Sequence, residues 1–196
     1  MNTYRIRITF TEELLGTVPL EEEVYTAYVQ SNRPDGPAED ELETLTLDEE
    51  IEKGTTGFHR LDGQPILYDY VLKGFFKDAC GMLRRVPDAA SHKLTAYKKI
   101  IDGLVFVGPR QIPITVSSDM SICERPLRAQ TAQGERIALA RSETVPAGSS
   151  IEFTVTILGA VGKGLLEEWL TYGALRGLGQ WRNSGKGKFT YEMLEQ

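Results

Sequence analysis

Histidine and cysteine are scarce, with two of each in 196 residues. His59, His92, Cys80 and Cys123 form no CxxC pair and no Cys/His cluster, so neither a zinc site of that spacing nor a disulfide framework is expected. No Ser/His/Asp or Cys/His arrangement for nucleophilic catalysis is legible either. No run approaches the ~20 apolar residues that cross a bilayer, and the opening MNTYRIRITF alternates polar and apolar residues where a signal peptide would carry an apolar core. The expectation is a cytoplasmic protein with no membrane partner, no metal and no cofactor.

Acid is plentiful, but unevenly placed. The net charge is −6, which taken alone argues against nucleic acid. Residues 1–60 hold 5 Lys/Arg and 14 Asp/Glu, whereas residues 61–196 hold 17 and 14. The chain is therefore a mildly basic body with an acidic appendage, centred on Glu21-Glu22-Glu23 and AEDELETLTLDEEIEK. That appendage reads as a solvated segment or as a partner-binding, nucleic-acid-mimicking surface.

Periodicity supplies the elements. TYRIRITF (3–10) alternates with period two and predicts a half-buried strand; VYTAYV (24–29) is a second candidate. GTTGFHRLDG (54–63) reads as a loop. From Ile66 to Arg85 apolar residues recur at helical steps, with Lys73, Lys77 and Arg84 on one flank, and Pro87 ends the pattern. SHKLTAYKKIIDG predicts a second helix with Ser91 as its cap. LVFV and QIPITV predict strands joined at Gly108-Pro109, and 125–145 a hairpin turning near Ala132-Gln133-Gly134. SSIEFTVTIL is a strand, and KGLLEEWLTYGAL is a helix with Leu165, Leu166, Trp169, Leu170 and Leu175 inward. A glycine loop and a last strand, KFTYEML, follow. The β-α-β-β-α-β order predicts one α+β domain over 1–196: a ferredoxin-like (RRM-like) antiparallel sheet with helices on one face. It would carry an acidic insertion at about 31–56 and a β-hairpin insertion at about 110–148.

The glycine loop holds the functional expectation. Gly177 and Gly179 precede Gly185 and Gly187 by a five-residue spacer, in RGLGQWRNSGKGK. A Walker loop needs four residues before Gly-Lys and then Ser or Thr, and here five intervene and Gly187 follows Lys186. A dinucleotide fingerprint leaves a strand and opens a helix, the reverse of this placement. Backbone amides beside Arg182, Lys186 and Lys188 suit phosphate contact without base readout, and Trp181 offers a stacking face. The same pattern also suits a Gly-terminated helix and tight turn with Trp181 on the core.

The segment 177–187 resembles the signature of the RAMP superfamily: Gly-hydrophobic-Gly, five residues including a cation, Gly-hydrophobic-Gly, between the last helix and last strand of a ferredoxin-like domain. Lys186 departs from it, standing where the family has an apolar residue. DGQPILYDYVLKGFFKDACGMLRR is similar to the family's first helix. The resemblance implies an RNA-binding, CRISPR-associated protein, with Gly177, Gly179, Arg182, Gly185 and Gly187 against an RNA backbone. Lys73 is a further candidate by charge and placement. A hairpin bearing Arg125, Arg128, Arg136 and Arg141 resembles the thumb-like projections of backbone subunits, and it also suits a salt-bridged surface ribbon. The expected partners are single-stranded or guide RNA and other protein subunits, including further copies of this chain. Three functions follow: an RNA-binding subunit of a ribonucleoprotein complex; a stand-alone interaction protein that mimics such a subunit; and a metal-independent endoribonuclease. For the last, His59, with Arg60 and Asp62 nearby, is the candidate acid–base group. Asp62 and Asp35 are alternatives that no spacing selects.

Overall fold

One face of the first strand is buried, which is why residues 3–10 alternate: Ile6, Ile8 and Phe10 lie in the core, and Arg5, Arg7 and Thr9 face outward. The computed structural model describes residues 1–20, 55–131, 134–159 and 161–194, with the side chains of 127–138 excepted. The VYTAYV strand, the acidic segment to residue 54 and Asp35 lie outside the described residues.

In chain order the elements are β1 (Asn2–Phe10), β2 (Leu14–Leu15), β3 (Val18–Pro19), β4 (Thr55–Gly57), β5 (His59–Leu61) and β6 (Gln64–Tyr68). Then come α1 (Asp69–Leu83), α2 (Tyr97–Leu104), β7 (Val105–Gly108), β8 (Gln111–Thr115), β9 (Ser121–Thr131) and β10 (Gly134–Val145). The chain continues through β11 (Ser150–Ile157), α3 (Lys163–Arg176) and β12 (Phe189–Leu194). Short 3-10 turns form at Ala90–Lys93 and Arg182–Ser184.

The larger, seven-stranded sheet runs β12-β1-β11-β8-β6-β5, with β7 also paired to β11. Stripped of β5, β6 and β8, its order puts the last strand beside the first, the first beside the third and the third beside the second. With α1 and α3 as the two crossovers, that is the ferredoxin-like α+β arrangement expected from the pattern. Both long helices cover the same apolar face. Phe75 of α1 meets Phe189 edge-on at 6.0 Å, and Phe76 packs 5.7 Å from Trp169 of α3. Trp169 is the largest fully buried side chain.

The other face of the sheet is polar. Glu152 accepts from Arg5 at 2.7 Å and from Arg7 Nε at 2.8 Å, and these arginines hold its carboxyl below the usual carboxylate range. The outward positions of β1 and β11 are Thr3, Arg5, Arg7, Thr9, Ser150, Glu152, Thr154 and Thr156, with no aromatic among them. Base stacking on the central strands, the mode of RNA-recognition sheets, has no surface there.

A second, five-stranded sheet is organised by β10, which pairs with β9 on one edge and with β2 and β4 on the other, β3 lying beyond β4. The hairpin proper thus begins at Ser121, because Gln111–Thr115 pairs within the larger sheet.

Several local expectations are corrected. Residues 55–61 are not a loop: β4 and β5 lie there, and β5 turns into β6 through Asp62-Gly63, both at positive φ (50° and 84°). Asp-Gly between paired strands is the two-residue hairpin signal. Residues 64–68 are strand, and the helix starts at Asp69, since Ile66 and Leu67 pair with Pro113 and Ile112. Ser91 caps no helix; its hydroxyl donates to Glu168 at 2.5 Å and accepts the Trp169 indole N–H at 2.9 Å. Leu175 is 74% exposed, because the buried stripe of α3 runs Leu166, Trp169, Leu170, Gly173 and position 175 falls off it at 3.6 residues per turn.

Candidate nucleic-acid interface

At three of the four loop glycines, the group that comes close is the protein itself. Gly177 ends α3 at φ 85°, its N–H donating to the Gly173 carbonyl at 2.7 Å. The next amide, on buried Leu178, donates to the Gly187 carbonyl at 2.9 Å, and the Gly187 amide donates to the Glu13 carbonyl at 2.8 Å. The two glycine pairs therefore cross one another. A Cβ on Gly177 would lie 2.4 Å from the Lys186 oxygen, and one on Gly187 only 1.9 Å from the Leu178 oxygen. A Cβ on Gly179 would lie 2.9 Å from Leu14 Cδ1. Gly185 differs: the nearest atom to its would-be Cβ is Lys188 Cε, 4.0 Å away, so only its φ of 85° calls for glycine.

Between the crossings the chain bulges outward. Trp181 sits in the left-handed region (φ 58°, ψ 29°), and a 3-10 turn follows. The Ser184 and Gly185 amides close that turn on the Trp181 and Arg182 carbonyls, each at 3.0 Å. The five amides before it, Gly179 to Asn183, have no acceptor among the described residues. Each of these residues is partly or fully exposed.

Cations surround that row of donors, each in a different state. Arg182 Nη1 pairs with Asp78 on α1 at 2.6 Å, and Lys186 Nζ with Glu13 at 2.7 Å. The Glu13 hydrogen bond raises the Lys186 pKa. Lys188 forms no ion pair among the described residues. Arg176 Nη1 donates to Asn183 Oδ1 at 2.6 Å, steadying the bulge from the end of the helix.

The hairpin reaches the same place through one arginine. Arg125 on β9 is 6% exposed, and its guanidinium lies 4.3 Å over the Trp181 ring, a cation–π arrangement. Its Nη2 donates to Gln180 Oε1 at 3.1 Å, while Nε and Nη1 are buried without partners. Burial pushes its pKa down. Gln180 is the pin of the assembly: the two hydrogens of its Nε2 are shared among the Gly16 carbonyl, Thr56 Oγ1 at 2.9 Å and Ser142 Oγ at 2.9 Å. One amide thus joins the glycine loop to β4, β10 and the β2–β3 turn.

The structure gathers Gly177, Gly179, Trp181, Arg182, Gly185, Lys186, Gly187, Lys188 and Arg125 at one site. It leaves others apart. Lys73 donates to the Asp102 carbonyl at 2.9 Å and lies 5.3 Å over Phe106. Arg141 pairs with Glu124 at 2.8 Å, on the hairpin face opposite Arg125. Arg128 and Arg136 stand on β9 and β10, and their side chains lie outside the described residues. His59 is on β5, its ring edge-on to Tyr68 at 4.8 Å, and burial lowers its pKa. Sequence reasoning missed Gln180, Glu13 and Asp78. Gln180 lies within the glycine loop, where composition marks it as one more polar loop residue, and the partners of Glu13 and Asp78 lie 173 and 104 residues away.

No family model matches the chain, and no curated protein matches it by sequence. Solved structures do match its fold. A chain of the type III-B Cmr-beta complex, determined by cryo-EM with cognate target RNA bound, superposes with a TM-score of 0.56 at 13% identity, over 98% of this chain and 60% of that one. A chain of a type IV-B CRISPR complex superposes with a TM-score of 0.47 at 12% identity, over 100% of this chain and 91% of that one. The first likeness shows the fold that this chain shares with the Cmr-beta chain, of whose length it spans 60%.

Proposed function

We propose that this chain is an RNA-binding, RAMP-like subunit of a CRISPR-type ribonucleoprotein, which holds the backbone of single-stranded or guide RNA with its glycine loop. The observation that carries the reading is the row of acceptor-free amides from Gly179 to Asn183, raised between two glycine crossings and edged by Arg182, Lys186 and Lys188. Amides in a fixed bulge cost little to reorganise on binding phosphate oxygens, and they carry no base information. The polar outer face of the sheet supports the loop as the contact, and the fold shared with a Cmr-beta chain fits an assembled role. Trp181, half-buried and with Arg125 over its ring, is the loop's aromatic group for a base.

Arg182 and Lys186 must exchange carboxylates for phosphates, so Asp78 and Glu13 compete with RNA. Lys188 meets no such competition. The test is the affinity for an oligouridine across a salt series. Removing one cation from the phosphates of a single strand flattens the slope of log K against log salt by ~0.7. Arg182→Ala with Lys188→Ala is expected to flatten it by about 1.4, at that same increment per cation, while Asp78→Asn strengthens binding. An unchanged slope in the double variant removes the loop from the RNA contact.

A further inference from the structure

The connection between α1 and α2 holds cations that no described residue neutralises. From 84 to 99 it carries Arg84, Arg85, His92, Lys93, Lys98 and Lys99, against Asp88 alone. The protein as a whole is acidic, so this concentration runs against its composition. Arg85, His92, Lys93, Lys98 and Lys99 are exposed, Arg84 is half-buried, and none of the five Arg and Lys residues forms an ion pair among the described residues.

Contacts draw the stretch together. His92 Nδ1 donates to the Arg84 carbonyl at 2.7 Å, and the Arg84 guanidinium lies 5.2 Å over the Tyr97 ring, its Nε buried without a partner. Arg85, Lys93 and Lys98 are the direct sequence neighbours of those three residues. The middle is clamped as well: Glu168 of α3 accepts the Ala90 amide at 2.6 Å and the Ser91 amide at 3.0 Å. That carboxylate therefore serves two backbone amides and a hydroxyl and leaves the lysines unpaired. Lys98 and Lys99 also stand in the first turn of α2, where the helix dipole opposes positive charge. Like charges held together at an unfavourable helix end destabilise the free protein, and a polyanion relieves both costs.

We infer that this connection is a second polyanion contact, taking the sugar–phosphate backbone of single-stranded RNA through Arg84, Arg85, Lys93, Lys98 and Lys99. The inference rests on the RNA-binding reading above but not on the glycine loop. The experiment compares three proteins on one oligouridine, each checked for native circular dichroism: the parent, the loop variant Arg182→Ala/Lys188→Ala, and the variant Arg85→Ala/Lys93→Ala/Lys98→Ala/Lys99→Ala. Arg84 is kept, since it packs on Tyr97.

The four-site variant is expected to flatten the salt slope by about 3, at ~0.7 per cation. A charge-keeping version, with Arg85→Lys and Lys→Arg at the other three, should retain the parent slope. A flattened slope in the loop variant alone overturns this inference and leaves the loop reading standing. A flattened slope in the four-site variant alone does the reverse. No RNA binding by the parent overturns both. Polyglutamate binding that depends on the four cations, with an RNA slope that does not, overturns the RNA assignment in favour of an acidic protein partner.

Discussion

Gly187→Ala is expected to lower the stability of the fold by about 4 kcal/mol, read from the urea midpoint, whereas Gly185→Ala lowers it by only about 1 kcal/mol. Both positions need positive φ, at 70° and 85°, so the cost of a left-handed alanine is common to them. The difference lies in what a methyl meets. At 187 it would sit 1.9 Å from the Leu178 oxygen, a backbone atom held by the Leu178–Gly187 hydrogen bond. Relief requires opening the crossing, which uncouples α3 from β12 and releases the Gly187 amide from Glu13. At 185 the space is open. Equal losses at the two sites would mean that the crossing does not hold the loop in shape.

Gln180→Leu should cost about 3 kcal/mol and loosen the second sheet from the loop. The leucine is of similar size, so packing changes little, but the joint keeps only the bonds of Thr56 to the Gly16 carbonyl and to Ser142, each at 2.8 Å. The Gly16 carbonyl and the Thr56 and Ser142 hydroxyls would lose a donor, and Arg125 Nη2 its acceptor. Arg125 is 6% exposed, so water cannot replace the amide there, and a stranded buried group costs about 1–3 kcal/mol, more when it is charged. Arg125 is the most vulnerable to this change, because two of its nitrogens already lack partners. Hydrogen exchange should locate the effect, with faster exchange in β4 and at the base of β10 but not in β1 or β11. Uniform acceleration would show that Gln180 supports the whole fold and not the joint.

The scaffold is readable because its signals are local. Alternation in β1 and β11 and the helical stripe of α3 each come from one buried face, and a single face writes itself into a single stretch of chain. Leu175 is misplaced when hydrophobicity is read without the angular step of the helix. The Asp62-Gly63 turn is visible in the chain and easily passed over, since the strands it joins are three and five residues long. The glycine spacing marks the site but not its cause: that the Gly187 neighbour is the Leu178 carbonyl depends on how the chain crosses itself. The ion pairs Arg182–Asp78 and Lys186–Glu13 are hidden for the same reason. Their effect on function is direct, for they turn two of the loop's three cations into contested ones.

The most direct test of the loop as an RNA grip is a titration of the isotopically labelled protein with oligouridine, followed amide by amide. The five amides from Gly179 to Asn183 should shift strongly on binding, while the Leu178 and Gly187 amides, already bonded to carbonyls, move little. RNA that binds and leaves those five amides unmoved would contradict the account at its centre.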